Sequence, residues 1–333
     1  MTDGCGRPIL AIETSCDETS AAVIDGLEIV SNVVASQIEM HQKWGGIVPE
    51  AASRAHVEAI LPVISEALAG RDVFGIAVTN RPGLVGALSV GVTAAKALSL
   101  SWNVPIIGVH HLEGHIVSAL AAGELKFPHL CLIVSGGHTE LVTVESIGQY
   151  RLLGQTMDDA AGEAFDKGAR LMGLGYPGGK AIQEMATKGD PMRYPLPRGL
   201  AKDPFNFSYS GLKTAVLRLV ENEGDHLHVP DAAASLQEAI VDSLKRKTLH
   251  ALEETGAKML TLVGGVAANI ALRERLRQTC FRLGVEFLTP PIELCTDNAG
   301  MIGIAGSLRL ARGESDGFDL ECFPNSPLPG RTE

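Results

Sequence analysis

The sequence predicts an α/β protein built as two duplicated lobes with a ligand cleft between them. Three observations carry that prediction. The chain has 333 residues, more than a single hydrophobic core usually organises. Residues 9–24 and 130–144 share one plan: an apolar run enters a short polar loop and returns as a second apolar run, the pattern of a β-hairpin. A further apolar run at 259–263 meets Gly264-Gly265 and a helical stretch over 267–277, which supplies the strand, turn and helix of an α/β lobe.

Composition narrows the class. Hydrophobic residues are 45% and charged residues 20% of the chain, as in globular and unlike disordered or fibrous proteins. Glycine supplies 37 of the 333 residues, about 11% against an average near 7%, so tight turns and close backbone approaches are expected. The most apolar window, 84–100, is crossed by Lys96 and reads as falling short of a membrane span. Met1 passes almost at once into a strand-like run, leaving no room for a signal or transit peptide. Cys5, Cys16, Cys131, Cys280, Cys295 and Cys322 show no C-x-x-C spacing, against a zinc ribbon or thioredoxin-type site and in keeping with a reducing cytoplasm. A net charge of −11 weighs against generic nucleic-acid binding and leaves only a local basic patch.

The expected lobes are 1–125, with 305–333 returning to the first lobe, and 126–304, with the crossover at 121–128. Residues 189–204 hold four prolines with Arg193, Arg198 and Lys202 and read as a surface loop. Residues 221–225 form an acidic turn between helical stretches, and 298–310 is helical in period. The Pro- and Gly-rich tail after Gly313 is expected to carry little chemistry.

The first chemical constellation is His110-His111-Leu112-Glu113-Gly114-His115. His111 and His115 are four apart, so a helix projects both from one face. Two metal ligands need that spacing, and so does a pair of hydrogen-bonded, partly buried histidines. A metalloprotease would place its glutamate directly after the first histidine. Glu113 comes two residues after His111, on another face, and that reading loses its general base. Asp297, before another helical stretch, reads either as a helix N-cap or as the carboxylate completing a two-His, one-carboxylate set.

The loop Ser135-Gly136-Gly137-His138-Thr139 at the second hairpin tip suits backbone N–H groups surrounding a phosphate or carboxylate. The first hairpin loop instead carries Glu13, Asp17 and Glu18, which would hold a hydrated cation or orient an amine. Gly264-Gly265 admits a flat ligand closely, with Asn269 one turn on. Residues 158–167 form an acidic helix start in which Glu163 and Lys167 are spaced to pair.

With these segments in view, the chain resembles the tRNA threonylcarbamoyladenosine transferase family, TsaD in bacteria, within the actin/Hsp70/hexokinase-like superfamily. The resemblance rests on IETSCDET at 12–19, GGIVPEAASRAH at 45–56, PGLVGAL at 82–88, HHLEGH at 110–115 and VSGGHTEL at 134–141. It continues through DDAAGEAFDKGA at 158–169, YPGG at 176–179, FSYSGLKT at 207–214, GGVAAN at 264–269 and CTDNAGMI at 295–302. These run in family order along nearly the whole chain.

The resemblance implies two actin-like (ASKHA, RNase H-like) lobes. It also implies transfer of a threonylcarbamoyl group from threonylcarbamoyl-AMP to the N6 amine of adenosine 37 in tRNAs reading codons that begin with A. By motif, His111, His115 and Asp297 would hold one divalent metal per subunit, Fe(II) first, with Zn(II) or Mn(II) as alternatives. Val134, Ser135, Gly136, Gly137, His138, Asp166, Gly179 and Asn269 would line the adenylate site. Glu13 and Asp17 are candidates for a general base, Glu13 foremost. The bacterial partners would be a degenerate paralogue (TsaB-like) and a P-loop ATPase (TsaE-like); the archaeal and eukaryotic counterpart is the KEOPS assembly. Arg193, Arg198, Lys202, Lys245, Arg246 and Lys247 are candidate tRNA-facing groups.

One departure from the family pattern is Arg81, where Thr-x-Gly-Pro-Gly-Leu would place glycine. Arginine before Pro82 is at ease in extended backbone and costs stability only if the turn needs positive φ. The competing readings are an ATP-hydrolysing chaperone or sugar-kinase-like enzyme, which would turn over ATP without tRNA, a metalloprotease, and a scaffold paralogue, which should have lost His111, His115 and Asp297.

Overall fold

A computed structural model describes residues 7–332, so Cys5 and the first residues lie outside it. The described chain divides into two units. One reaches Gly123 and resumes over Asp297–Pro329; the other is Glu124–Thr296 with the chain from Gly330.

The first unit opens with β1 (Ile9–Glu13), β2 (Glu18–Asp25) and β3 (Glu28–Ser36), followed by α1 (Ile38–Gln42) and α2 (Pro49–Leu68). Next come β4 (Ile76–Arg81), α3 (Val85–Trp102), β5 (Ile106–His110) and α4 (His111–Ser118). The sheet order is β3-β2-β1-β4-β5, antiparallel across β1–β2–β3 and parallel across β1–β4–β5. The central strand β1, ILAIE, is buried along its whole length. A central strand covered on both faces calls for such a nearly continuous apolar run, here Ile9–Ile12 before the buried Glu13. The edge strand β3 alternates between exposed and half-buried positions. Leu10, Ile12, Ile76 and Val78 pack with Ile60, Val63 and Ile64 of α2 to form the core. By length and composition α3 is apolar enough to cross a membrane, which the lysine within it had weighed against; here it packs on α2 and β4.

The second unit repeats the scheme with β6 (His129–Val134), β7 (Thr139–Ser146) and β8 (Gln149–Gln155). Then follow α5 (Ala161–Leu171), α6 (Gly178–Ala186), α7 (Ser210–Glu223), α8 (Val229–Thr255), β9 (Met259–Val263), α9 (Ile270–Leu283) and β10 (Glu286–Leu288). The chain then forms α10 (Ala299–Leu310) in the first unit and ends in β11 (Arg331–Thr332), beside β8. The sheet order β8-β7-β6-β9-β10, with β11 outside β8, matches the first unit strand for strand. The duplicated α/β architecture expected from the two hairpins is what the chain forms.

Several local expectations shift. The helix expected at 267–277 is broken near its start, because Asn269 is extended (φ −67°, ψ 117°) and caps α9. That helix runs on to Gly284, whose φ of +65° ends it as a left-handed C-cap. The chain re-enters the first unit at Asp297 and not near residue 305, since the whole of α10 packs on β1, β2 and α4. The tail is not idle. The Asp316 carboxylate accepts from the Gly108 N–H at 2.7 Å. The Phe323 N–H donates to the Asn80 carbonyl at 2.9 Å, and the Gly83 N–H to the Pro324 carbonyl at 3.1 Å.

Candidate active site

The buried β5 feeds directly into α4, so the double histidine falls where strand becomes helix. His110 is the N-cap: its Nδ1 accepts from the Leu112 N–H at 3.2 Å. Its Nε2 then carries the hydrogen and donates to the Ser326 carbonyl of the tail at 3.2 Å. His111 is the first residue of the helix and His115 stands one turn on, with ring centroids 4.7 Å apart and nearly perpendicular.

Asp297 completes the group. Its Oδ1 lies 3.4 Å from His111 Nε2 and 3.2 Å from His115 Nε2, and the three donor atoms all fall within 4.8 Å of one another. The capping reading of Asp297 does not hold. Asn298 is the N-cap of α10, its side-chain oxygen accepting from the Met301 N–H at 3.1 Å. Asp297 is one residue too early to cap, which frees its carboxylate to face the histidines. All three residues belong to the first unit, where the sequence reading had put Asp297 in the opposite lobe.

Behind His111 stands Glu13, at the end of β1. Its Oε2 lies 3.0 Å from His111 Nδ1 and accepts from the Thr79 hydroxyl at 2.7 Å. The other oxygen, Oε1, takes the Ser15 N–H, and the Ser15 hydroxyl also reaches His111 Nδ1 at 3.2 Å. Glu13 is fully buried and both its oxygens are engaged. This geometry orients an imidazole; it does not leave a base open to substrate.

The electrostatics follow. Burial alone would raise the Asp297 carboxyl, but the adjacent imidazoles outweigh it and hold the group far below the ordinary carboxylate range. Burial opposes charge on His111, yet Asp297 and Glu13 raise it well above its usual value. His115 is lowered, by burial first and by the neighbouring His111 charge. Glu18, in the same loop region, is pushed up to about 10 by burial and by the Asp17 and Asp297 charges.

Do these residues fit a metal? His115 is completely buried; among the described residues its Nδ1 has no hydrogen-bond partner and its Nε2 faces only the Asp297 oxygen at 3.2 Å, a nitrogen that an ion between them would satisfy. Two donors each about 2.0–2.1 Å from one ion stand roughly 3.0–3.4 Å apart, and the two Nε2–Oδ1 separations are 3.4 and 3.2 Å. The Glu13–His111 contact is the carboxylate support that a metal-bound imidazole usually has. The trio fits a divalent ion and, being three ligands only, leaves coordination positions open.

In the second unit, most residues expected around an adenylate gather at the C-terminal ends of the parallel strands β6 and β9, where α/β sheets bind ligands. After Val134, the Ser135 N–H donates to the His138 carbonyl at 2.8 Å, and the Ser135 carbonyl accepts from the Gly162 N–H at 3.1 Å. The His138 N–H reaches the Ser135 hydroxyl at 3.1 Å, and the Ala161 N–H reaches the Thr139 hydroxyl at 2.8 Å. These bonds fasten the loop to the start of α5. Gly264 has φ +92°, and a Cβ there would lie 2.4 Å from the Val134 carbonyl, so β9 can end against β6 only with glycine. The Asp166 carboxylate holds the Gly178 N–H at 2.8 Å, tying α5 to the start of α6 beside Gly179. Apart from their own chain neighbours and, at Gly179, the backbone of its own helix, no atom of the described residues lies within 4 Å of a Cβ built on Gly136, Gly137 or Gly179. Asn269, after β9, also has a structural part: its oxygen caps α9 through the Leu272 N–H at 3.0 Å and its amide donates to Gln237 at 2.9 Å.

Among the basic candidates, Lys247 is buried and donates to the Leu200 and Asp203 carbonyls at 3.0 and 2.8 Å. Arg198 is paired with Asp242 at 3.1 Å. Arg193, Lys202 and Arg246 are exposed. Sequence reading also missed Thr79, Ser15 and the cap Asn298.

Two units with the same five-strand order, one carrying two buried histidines that face a half-buried aspartate, define an α/β protein of the actin-like class. The fold agrees with two solved structures. One is full-length HypF in the phosphate- and nucleotide-bound form (TM-score 0.59, 15% identity, covering 91% of this chain and 46% of that one). The other is the activator of 2-hydroxyisocaproyl-CoA dehydratase from Clostridium difficile with bound ADPNP (TM-score 0.54, 13% identity, 93% and 98% covered). At the sequence level, residues 28–304 match the family model described as TsaD, tRNA N6-adenosine threonylcarbamoyltransferase. Proteins of that name from Syntrophotalea carbinolica and Bacillus subtilis are 50% and 49% identical, each over 96% of this chain and over 96% and 95% of their own lengths. The chain belongs to the tRNA N6-adenosine threonylcarbamoyltransferase family and is a transferase.

Proposed function

We propose that this protein transfers the threonylcarbamoyl group from threonylcarbamoyl-AMP to the N6 amine of adenosine 37, in tRNAs reading codons that begin with A. The observation that carries the reading is the convergence of His111, His115 and Asp297 in a chain about half identical to relatives bearing that activity's name.

The donor is a mixed anhydride and already activated. The N6 nitrogen attacks the carbamoyl carbon, the bond to the phosphate oxygen breaks, AMP leaves and the amine loses a proton. The protein's part is orientation and charge stabilisation. In the second unit, Val134, the Ser135–His138 turn, Asp166 and Gly179 take the adenylate, whose phosphate suits the open glycine loop and the N-terminus of α5. Asn269 holds the neighbouring α9 start in place. In the first unit, His111, His115 and Asp297 would hold the divalent ion, Fe(II) or else Zn(II) or Mn(II), which supplies a Lewis acid for phosphate or carbamoyl oxygens. Glu13 and the Ser15 hydroxyl fix the His111 ring so that Nε2 faces the site.

The partners are tRNA, met in a single-stranded loop whose bases splay out cheaply, and, in a bacterial cytoplasm, the TsaB-like paralogue and the TsaE-like ATPase. The net charge of −11 fits an enzyme that needs help to hold tRNA. Mass spectrometry of tRNA nucleosides from cells depleted of this protein tests the reading. N6-threonylcarbamoyladenosine should disappear and return with the wild-type gene; an unchanged level would overturn it.

A further inference from the structure

His56 lies in the GGIVPEAASRAH segment, on α2, away from the metal ligands in sequence and fully buried. Its Nε2 is 3.0 Å from the Cys16 carbonyl, and its Nδ1 is 2.7 Å from the Thr19 hydroxyl. A carbonyl only accepts, so Nε2 carries the hydrogen. Nδ1 is then the acceptor and Thr19 donates to it. Burial lowers the pKa of this ring despite the Cys16 bond, which keeps it in that neutral form. One imidazole thus ties α2 to Cys16, in the β1–β2 turn, and to Thr19, at the start of β2.

That turn is what holds the metal-facing histidine. Ser15, the neighbour of Cys16, gives its N–H to Glu13, and its hydroxyl oxygen lies 3.2 Å from the His111 Nδ1–H that Glu13 also accepts. Its carbonyl takes the Leu84 N–H at 2.8 Å. The turn is therefore anchored at its inner end by Glu13 and Leu84 and at its outer end by His56. A ring that presents a donor and an acceptor at once satisfies both the part-buried Cys16 carbonyl and the buried Thr19 hydroxyl. An aliphatic residue would leave the buried Thr19 hydroxyl unpaired and release the Cys16 carbonyl from α2.

We propose that His56 is a positioning residue for the metal centre, acting through the 14–17 turn to hold Ser15 and Glu13 against His111. The inference rests on the metal reading of His111, His115 and Asp297. It is tested by titrating Co(II) into full-length wild-type protein and the His56→Leu, His56→Gln, Thr19→Val and Asp297→Ala variants, following the Co(II) absorption spectrum and each protein's thermal melting. Supporting groups of this kind are worth about 10- to 100-fold in metal affinity. His56→Leu should bind Co(II) at least about tenfold more weakly, with an altered spectrum. His56→Gln, which keeps a donor and an acceptor, should recover most of the loss. Wild-type affinity and spectrum in a folded His56→Leu would overturn the proposal. Should that variant fail to fold, Thr19→Val decides: weakened binding supports the proposal and unchanged binding overturns it. A different failure, in which wild-type Co(II) binding survives Asp297→Ala, would strike the metal assignment itself and this inference with it.

Discussion

The Oε2 atom of Glu13 stands 3.0 Å from Nδ1 of His111, while Nε2 of the same ring faces Asp297 Oδ1 at 3.4 Å. One imidazole is thus held between two carboxylates from opposite ends of the chain. The inner carboxylate orients the ring and the outer one shares its ligand face.

Glu13→Gln keeps the shape of this contact and removes its charge. It should weaken divalent-metal affinity by about 10- to 100-fold and leave the fold in place, since the amide can still meet Thr79 or Ser15. Isothermal titration with Zn(II) beside a thermal melt checks this. Full affinity in the variant would mean that the Glu13–His111 contact is ornamental to the site.

Asp297 and Asn298 separate two roles in adjacent residues. Asn298→Ala should cost about 1 kcal/mol of stability through the lost cap with metal stoichiometry retained. Asp297→Ala should lose metal and remain folded, giving up as well the charge pairing that raises His111 in the metal-free protein. Metal analysis and melting on the same preparations read both, and a swap of the two phenotypes contradicts the assignment.

Metal binding should release protons. In the metal-free protein His111 is raised well above 6.5 against the burial that opposes it, whereas His115 is lowered. A ligand imidazole must be neutral, so uptake near pH 7 displaces about one proton, and affinity climbs with pH until His111 is deprotonated beforehand. The sign for stability is opposite. A raised folded-state pKa stabilises the metal-free protein fully below about pH 6.5, and that contribution is lost as pH rises through the folded value. Titration calorimetry in two buffers of different ionisation enthalpy measures the protons; none released at pH 7 would contradict this charge state.

Arg81 occupies ordinary backbone, outside the positive-φ residues. Its guanidinium sits 5.6 Å from the centre of the Phe323 ring and its Nε donates to Asn80 at 3.3 Å. Arg81→Gly should therefore destabilise by about 0.5–1 kcal/mol, the size of an exposed cation–π contact. A double-mutant cycle with Phe323→Ala reads the coupling, and additive losses would show that the stacking contributes nothing.

Much of this was legible beforehand, and the gaps have physical causes. The hairpins at 9–24 and 130–144 announced the repeat because alternating strands and polar turns leave a local pattern. The i, i+4 spacing of His111 and His115 announced one helical face. Asp297 against Asn298 was not decidable, because both residue types cap helices and only backbone geometry says which one does. Lys247 looked like a solvent-facing charge, but composition cannot tell that two loop carbonyls draw it inward. The reach of the tail to His110 and Asn80 left no mark either, since the tail contributes only backbone groups, the Ser326 carbonyl and the Phe323 N–H, which are the same whatever the side chains.

Transfer at the His111, His115 and Asp297 centre is read most directly in the rate of N6-threonylcarbamoyladenosine formation in tRNA. That rate is to be measured with purified protein, threonylcarbamoyl-AMP and the partner proteins, comparing wild type with folded Asp297→Ala. Wild type should modify the tRNA and lose that capacity on chelation, while Asp297→Ala should form no product above background. Product formed by Asp297→Ala at the wild-type rate would contradict the claim that the His111, His115 and Asp297 centre serves the transfer.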